Sequence, residues 1–205
     1  MNEPSAITSL LTYLASITAQ EHNTANTSNK TGLHRTTVNR YVELLEAVFL
    51  IHRPPGWSRN LAARVVKHPK LHLTDTGLAA SLLGIAPDSL AKPIAPARGP
   101  LIETFIVNEL AKQATWSENS VRLYHWRISG GAEVDVVLER DDGQVVGIEA
   151  KAMDTVTIED FRGLAHLRDL VGHQFVQGIV VHTGRHSVTF GDRLASVPIA
   201  ALWGR

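Results

Sequence analysis

The sequence predicts a mixed α/β unit behind a smaller helical unit that carries a two-stranded ribbon. Three observations predict it. A helical apolar stripe at the amino-terminal end is followed by strand-like runs only from about residue 49. Residues 87–100 hold four prolines, a break between two organised halves. Beyond that break the order reads helix, three strands, helix, strand, in which the late helix connects strands that lie parallel.

In chain order, Ser5 is placed to cap a helix through about Thr18, with Ile7, Leu10, Leu11, Leu14 and Ile17 on one face. Residues 21–30 are polar and read either as a loop or as a short helix. From His34, the residues Val38, Tyr41, Leu44, Leu45 and Val48 recur at helical spacing. Arg35, Thr36, Thr37, Asn39 and Arg40 fall near its start on the polar side. Phe49–Arg53 and Leu71–Leu73 read as strands flanking a Pro54-Pro55-Gly56 turn and a loop. That outline is a winged helix with a recognition helix, or else a plain three-helix bundle. A short helix follows at 78–83. The expected divisions are residues 1–86, a linker at 87–98 and a second domain at 99–205.

The second domain opens with a helix over 100–113 that bears Glu103 in its first turn, then a strand at Val121–Arg127. Next comes a hairpin, residues 131–151, turning at Asp141-Asp142-Gly143. Thr157 caps a helix with Phe161, Leu164, Leu167 and Val171 on its apolar stripe. Phe175–His182 is a buried strand, and 197–203 suggests one more.

The chain has 20 Lys+Arg and 20 Asp+Glu, and no cysteine, which excludes disulfides and thiolate metal sites. The charge is unevenly spread: residues 1–98 carry 10 basic against 6 acidic residues, and residues 99–205 carry 10 against 14. No acid falls between Glu46 and Asp75, while Arg53, Arg59, Arg64, Lys67 and Lys70 do. Such a stretch meets DNA phosphates or is a solvated loop. No apolar run approaches the roughly 20 residues that span a bilayer, and the first residues lack a signal-peptide pattern. The expectation is a cytoplasmic protein without a membrane partner.

The hairpin carries the chemistry. Glu149 and Lys151 share a strand face, and the partner strand brings Asp135 toward them. Two carboxylates and a lysine among valines and isoleucines suit a hard cation balanced by the lysine, or a solvated sheet face. Other candidates are weaker. His52, His68 and His72 match no zinc spacing, Trp126 is either core or a base-stacking ring, and Asp75 reads as a helix cap.

Asp135 followed by Glu149-Ala150-Lys151 resembles the signature of the PD-(D/E)XK nuclease superfamily, whose αβββαβ order is the one above and whose helix glutamate matches Glu103. Val134 stands where that superfamily has proline. More closely, LIETFIVNEL (101–110), LYHWR (123–127), EVDVVL (133–138), GIEAK (147–151) and HPKLHLTDTGLAASLLG (68–84) resemble the carboxy-terminal domain of prokaryotic AAA-type ATPases known as domain of unknown function 4143. The likeness runs from about residue 30 to 190. It implies Mg²⁺ or Mn²⁺ held by Asp135, Glu149 and the Ala150 carbonyl, with Lys151 orienting water and Glu103 assisting, and cleavage of DNA. It equally allows a non-cleaving DNA-binding, protein-binding or regulatory module on this fold. Because no Gly-Lys dipeptide occurs, no P-loop is present and no nucleotide cofactor is expected. An ATPase domain would therefore act from a longer chain in cis or from a partner in trans.

Overall fold

The structure is a computed structural model that describes residues 3–60, 64, 68–92, 95–128 and 131–204. Contacts divide the chain into two units. One comprises residues 1–54 and 68–105, the other 55–67 and 106–205.

In the first unit, α1 (Glu3–Ser16), β1 (Gln20–Glu21), α2 (Thr24–Thr31), α3 (Arg35–Ala47), β2 (Ile51–His52) and β3 (Lys70–Leu73) precede α4 (Thr76–Leu82) and α5 (Pro87–Leu90). The polar 21–30 stretch is mostly helix. Asn23 caps α2 by accepting from the Asn26 amide at 3.0 Å, and Gly32 closes it in the left-handed conformation. His34 caps α3, as Asp75 caps α4 by accepting from the Leu78 amide at 2.7 Å. Ser5, expected as a cap, lies inside α1. The sheet has strand order β1-β3-β2, all antiparallel; the two-residue β1 has no sequence signature and was not expected. Leu10, Leu14, Val38, Val42, Leu71 and Leu73 form the core. One polar chain is buried with them: Thr18 and Thr104 hydroxyls meet at 2.9 Å, and His72 Nδ1 meets Thr104 at 3.1 Å. Mutual hydrogen bonding is what makes such burial tolerable.

Two boundary expectations change. Of the expected linker, Pro87 opens α5, and Leu90 and Ala97, like Leu101 after them, pack on the first core; residues 93 and 94 lie outside the described residues. Prolines at helix starts and in packed turns read as linker composition but need not be one. Residues 55–67 belong with the second unit, because the Trp57 amide donates to the His125 carbonyl at 2.7 Å, the His125 amide to the Pro55 carbonyl at 3.0 Å, and the Trp57 ring is 2% exposed in the second core. An apolar indole outweighs its basic neighbours.

The second unit contains the latter part of α6 (Arg98–Trp116), then β4 (Val121–Arg127), β5 (Glu133–Arg140), β6 (Val145–Lys151), α7 (Arg162–Val171), β7 (Phe175–His182), β8 (Val188–Gly191) and β9 (Leu194–Pro198). Its six strands run β4-β5-β6-β7-β9-β8; β4, β5 and β6 are antiparallel, whereas β6, β7 and β9 are parallel. The β6-to-β7 connection is the crossover through α7 that the sequence pattern requires. Phe161, Leu164, Leu167 and Val171 are all at most 3% exposed, facing Val137, Val145, Phe175 and Val180. Contact is so close that a Cβ on Gly163 would lie 1.9 Å from the Glu133 carbonyl oxygen. Only glycine lets α7 approach β5 there. The edge strand β8 was not expected, and 199–203 is a 3₁₀ turn rather than strand. The chain is thus a mixed α/β protein with a six-stranded sheet, and among the described residues no helix is long and apolar enough to cross a membrane.

Candidate functional site

The candidate site lies where β5 begins and β6 ends. Antiparallel pairing sets Val136 against Ile148, which brings Asp135 to the level of Glu149 and Ala150. Asp135 is 5% exposed, and its Oδ2 accepts from the Ala150 amide at 3.0 Å. A carboxylate buried on β5 is therefore held by the backbone of β6, beside the Glu149-Ala150-Lys151 triplet. The irregularity between Tyr124 and Trp126 in the β4–β5 pairing falls at this same level. Bulges commonly re-aim side chains at such places.

Lys151 Nζ lies 3.2 Å from Glu149 Oε1 and 3.7 Å from Asp160 Oδ1. Burial alone would weaken its charge, but Glu149, by charge and hydrogen bond, together with Asp160 and Asp135, raises its pKa above the ordinary lysine value. Lys151 is thus an ammonium at neutral pH. It can donate and stabilise negative charge; it cannot act as a general base.

Asp160 is the residue the sequence reading missed. Its carboxylate accepts from the Thr157 amide at 2.8 Å and its hydroxyl at 3.1 Å, closing a capping box at the turn (Ile158–Phe161) that leads into α7. The T-x-x-D spacing was its signal; the extra bond to Lys151 depends on the β6–α7 connection, which spacing does not reveal. Asp135, Glu149 and Asp160 set three carboxyl groups against one ammonium. That excess, with an all-oxygen set of two carboxylates and the Ala150 carbonyl, fits a hard divalent cation. Among the described residues no three His, Asp or Glu side chains cluster as a metal site of their own; the expected set has two side chains and a main-chain oxygen.

The remaining expected residues have partners or exposures of their own. Glu103 is counted with the first unit and pairs with Lys70 at 2.5 Å, both side chains mostly buried. Arg53 pairs with Glu46. Arg64 forks onto Glu139 at 2.6 and 2.7 Å and lies over the Tyr124 and Trp57 rings at 4.8 and 5.5 Å. Arg59, though exposed, donates to the Leu170 carbonyl at 3.0 Å. Arg35 and Arg40 are exposed on α3, Arg40 over the Tyr41 ring at 5.2 Å. Lys67 lies outside the described residues. The acid-free stretch is therefore not an open basic surface: acids distant in sequence reach Arg64 and Lys70, and Glu46 reaches Arg53. Trp126, 2% exposed, is core and not a stacking platform. His52 and His72 pair across β2 and β3, and burial holds the His52 pKa low.

The family model for a domain of unknown function (DUF4143) matches residues 98–202, a little over half of the chain. The chain belongs to the DUF4143 family. A second model, for a domain of unknown function (DUF8612), matches residues 1–89. Uncharacterized proteins of Mycobacterium bovis and Mycobacterium tuberculosis are each 31% identical over 187 residues, 91% of this chain and 40% of theirs. The chain thus spans about two fifths of the length of these curated relatives. No solved structure matches. For DUF4143, the matched region contains the whole Asp135–Glu149–Lys151 constellation together with Asp160.

Proposed function

We propose that this DUF4143 chain is a DNA-associated module whose second unit is a PD-(D/E)XK nuclease-like domain hydrolysing phosphodiester bonds with Mg²⁺ or Mn²⁺. The observation that carries the reading is the Asp135 carboxylate fixed on the Ala150 amide beside a charged Lys151, at the end of β6. Asp135, Glu149 and the Ala150 carbonyl would hold the ion. When bound, the ion would lower the pKa of a water and neutralise phosphate charge. Lys151, kept protonated by Glu149 and Asp160, would orient the water or stabilise charge on the phosphate. Asp160 would hold Lys151 in place through its own capping box. Supporting this reading, the site sits at the carboxyl ends of parallel strands, where open α/β sheets bind ligands.

The first unit, with α2, α3 and the small sheet, supports a winged-helix-like reading in which exposed Arg35 and Arg40 of α3 face DNA. The greater length of the relatives leaves room for a further domain, and we propose an ATPase domain in cis or in trans. A second reading is favoured by two observations: Lys151 already bridges Glu149 and Asp160, and most of the expected DNA-contacting cations are engaged internally. On that reading the second unit is a non-cleaving DNA- or protein-binding regulatory module. Plasmid nicking with Mn²⁺ separates the two. Cleavage by the parent that Lys151→Ala abolishes supports the nuclease; an inert parent leaves the binding module.

A further inference from the structure

The geometry points to the loop between β7 and β8, through Arg185 and His186, as the phosphate-backbone contact for duplex DNA next to the carboxylate site. This inference rests on the proposed DNA association and names the surface that carries it.

The loop's location is fixed by pairing. In the parallel β6–β7 ladder, Glu149 pairs with Val180 and Lys151 with His182. Adjacent strands lie about 4.8 Å apart and rise about 3.3 Å per residue. Arg185, three residues past His182, is thus within about 10 Å of the level of Lys151 along the strand direction. DNA advances about 3.4 Å per nucleotide along one strand, so a backbone held at the carboxylate site passes this loop within about three nucleotides.

Its stem is rigid. The Thr183 amide donates to the Met153 carbonyl at 3.1 Å, tying the exit of β7 to the exit of β6. The Gly184 amide donates to Nδ1 of His182, whose residue is 3% exposed. A Cβ on Gly184 would lie 2.4 Å from the Asp154 carbonyl oxygen, so this approach requires glycine. Arg185, His186 and Ser187, which follow, are all exposed.

The charge is uncommitted. Arg53, Arg59, Arg64 and Lys70 each have a protein partner. Among the described residues, Arg185 and His186 form no ion pair or hydrogen bond, whereas Lys151, the cation beside Asp135, Glu149 and Asp160, is already paired with Glu149 and Asp160. A fixed cation beside carboxylates admits a polyanion that the acids alone would repel. A guanidinium additionally binds phosphate through two parallel N–H bonds.

The test is fluorescence anisotropy with a labelled duplex of about 20 base pairs, titrated with NaCl, for the full chain and for Arg185→Ala/His186→Ala. The double variant is expected to bind more weakly and to lose about 0.9 from the log–log salt slope for each phosphate contact removed. Arg185→Lys should restore most of the slope. Both proteins should share the same melting temperature and the same Mn²⁺-induced shift, because the loop tip touches neither core nor carboxylates. Equal slopes and affinities in parent and double variant overturn the assignment while leaving the carboxylate-site reading intact. A parent with no Mn²⁺ shift but an intact slope difference refutes the metal site and leaves the loop as a DNA contact. Tighter binding of single-stranded RNA than of duplex DNA by the parent overturns the DNA assignment.

Discussion

Replacing Glu139 with glutamine tests whether Arg64 is a structural cation or a DNA contact. Glu139 accepts from both Arg64 nitrogens at 2.6 and 2.7 Å and from Trp57 Nε1 at 3.1 Å, with the Arg64 and Glu139 side chains 11% and 16% exposed. Removing one partner of a fully buried pair costs about 3–5 kcal/mol. Glutamine keeps two of the bonds and some solvent reaches the pair, so we expect a loss of about 2 kcal/mol. For a unit of this size that lowers the melting temperature by roughly 6–10 °C. Circular dichroism melts of parent, Glu139→Gln, Arg64→Met and the double variant would measure it, and the double variant should recover part of the loss because no lone charge remains. The pH sign follows. Burial would raise the Glu139 pKa, but the Arg64 and Trp57 bonds outweigh it and hold it below the ordinary 4.5. The stabilisation is therefore present above pH 4.5 and disappears as pH falls below it. A loss under about 0.5 kcal/mol, with no change in this acid profile, would mean that Arg64 is a surface cation. It would then be free for phosphate.

Gly163→Ala should unfold the second unit or cost at least about 3 kcal/mol, read by urea titration, since its methyl would overlap the Glu133 carbonyl. His22 and His52 have pKa values lowered chiefly by burial. Both take up protons more readily when unfolded, so the first unit should lose up to about 1.4 kcal/mol per pH unit for each as pH falls below 6.5, read by melts from pH 7.5 to 5. Lys151→Ala should leave Mn²⁺ binding intact and remove any nicking, read on supercoiled plasmid.

What the sequence revealed depended on whether a signal was local. Alternating apolar residues and a turn placed β5 and β6, and apolar runs placed β4 and β7, because each strand is seven or eight residues long with few exposed positions. The residues Gln20–Glu21 and Val188–Gly191 escaped because two- and four-residue strands with exposed faces have no period to read. The alternation on β5 and β6 was enough to bring Asp135 toward Glu149. Asp160 joined Lys151 only through the fold of the 152–161 connection. The basic stretch misled for the same reason: a run of cations in sequence says nothing about carboxylates such as Glu139, 75 residues beyond Arg64. Trp57 likewise carried the 55–67 segment into the second unit against its proline-rich surroundings.

Mn²⁺ binding followed by electron paramagnetic resonance, in the parent and in Asp135→Asn, tests the proposed metal site most directly. The parent should quench the free-ion signal with about one ion per chain, and the ion should raise its melting temperature by mass action. Asp135→Asn, nearly equal in volume, should fold and leave the signal unquenched. Free-ion signals of equal strength with parent and variant, and no shift in melting temperature for either, would contradict a metal site at Asp135 and Glu149.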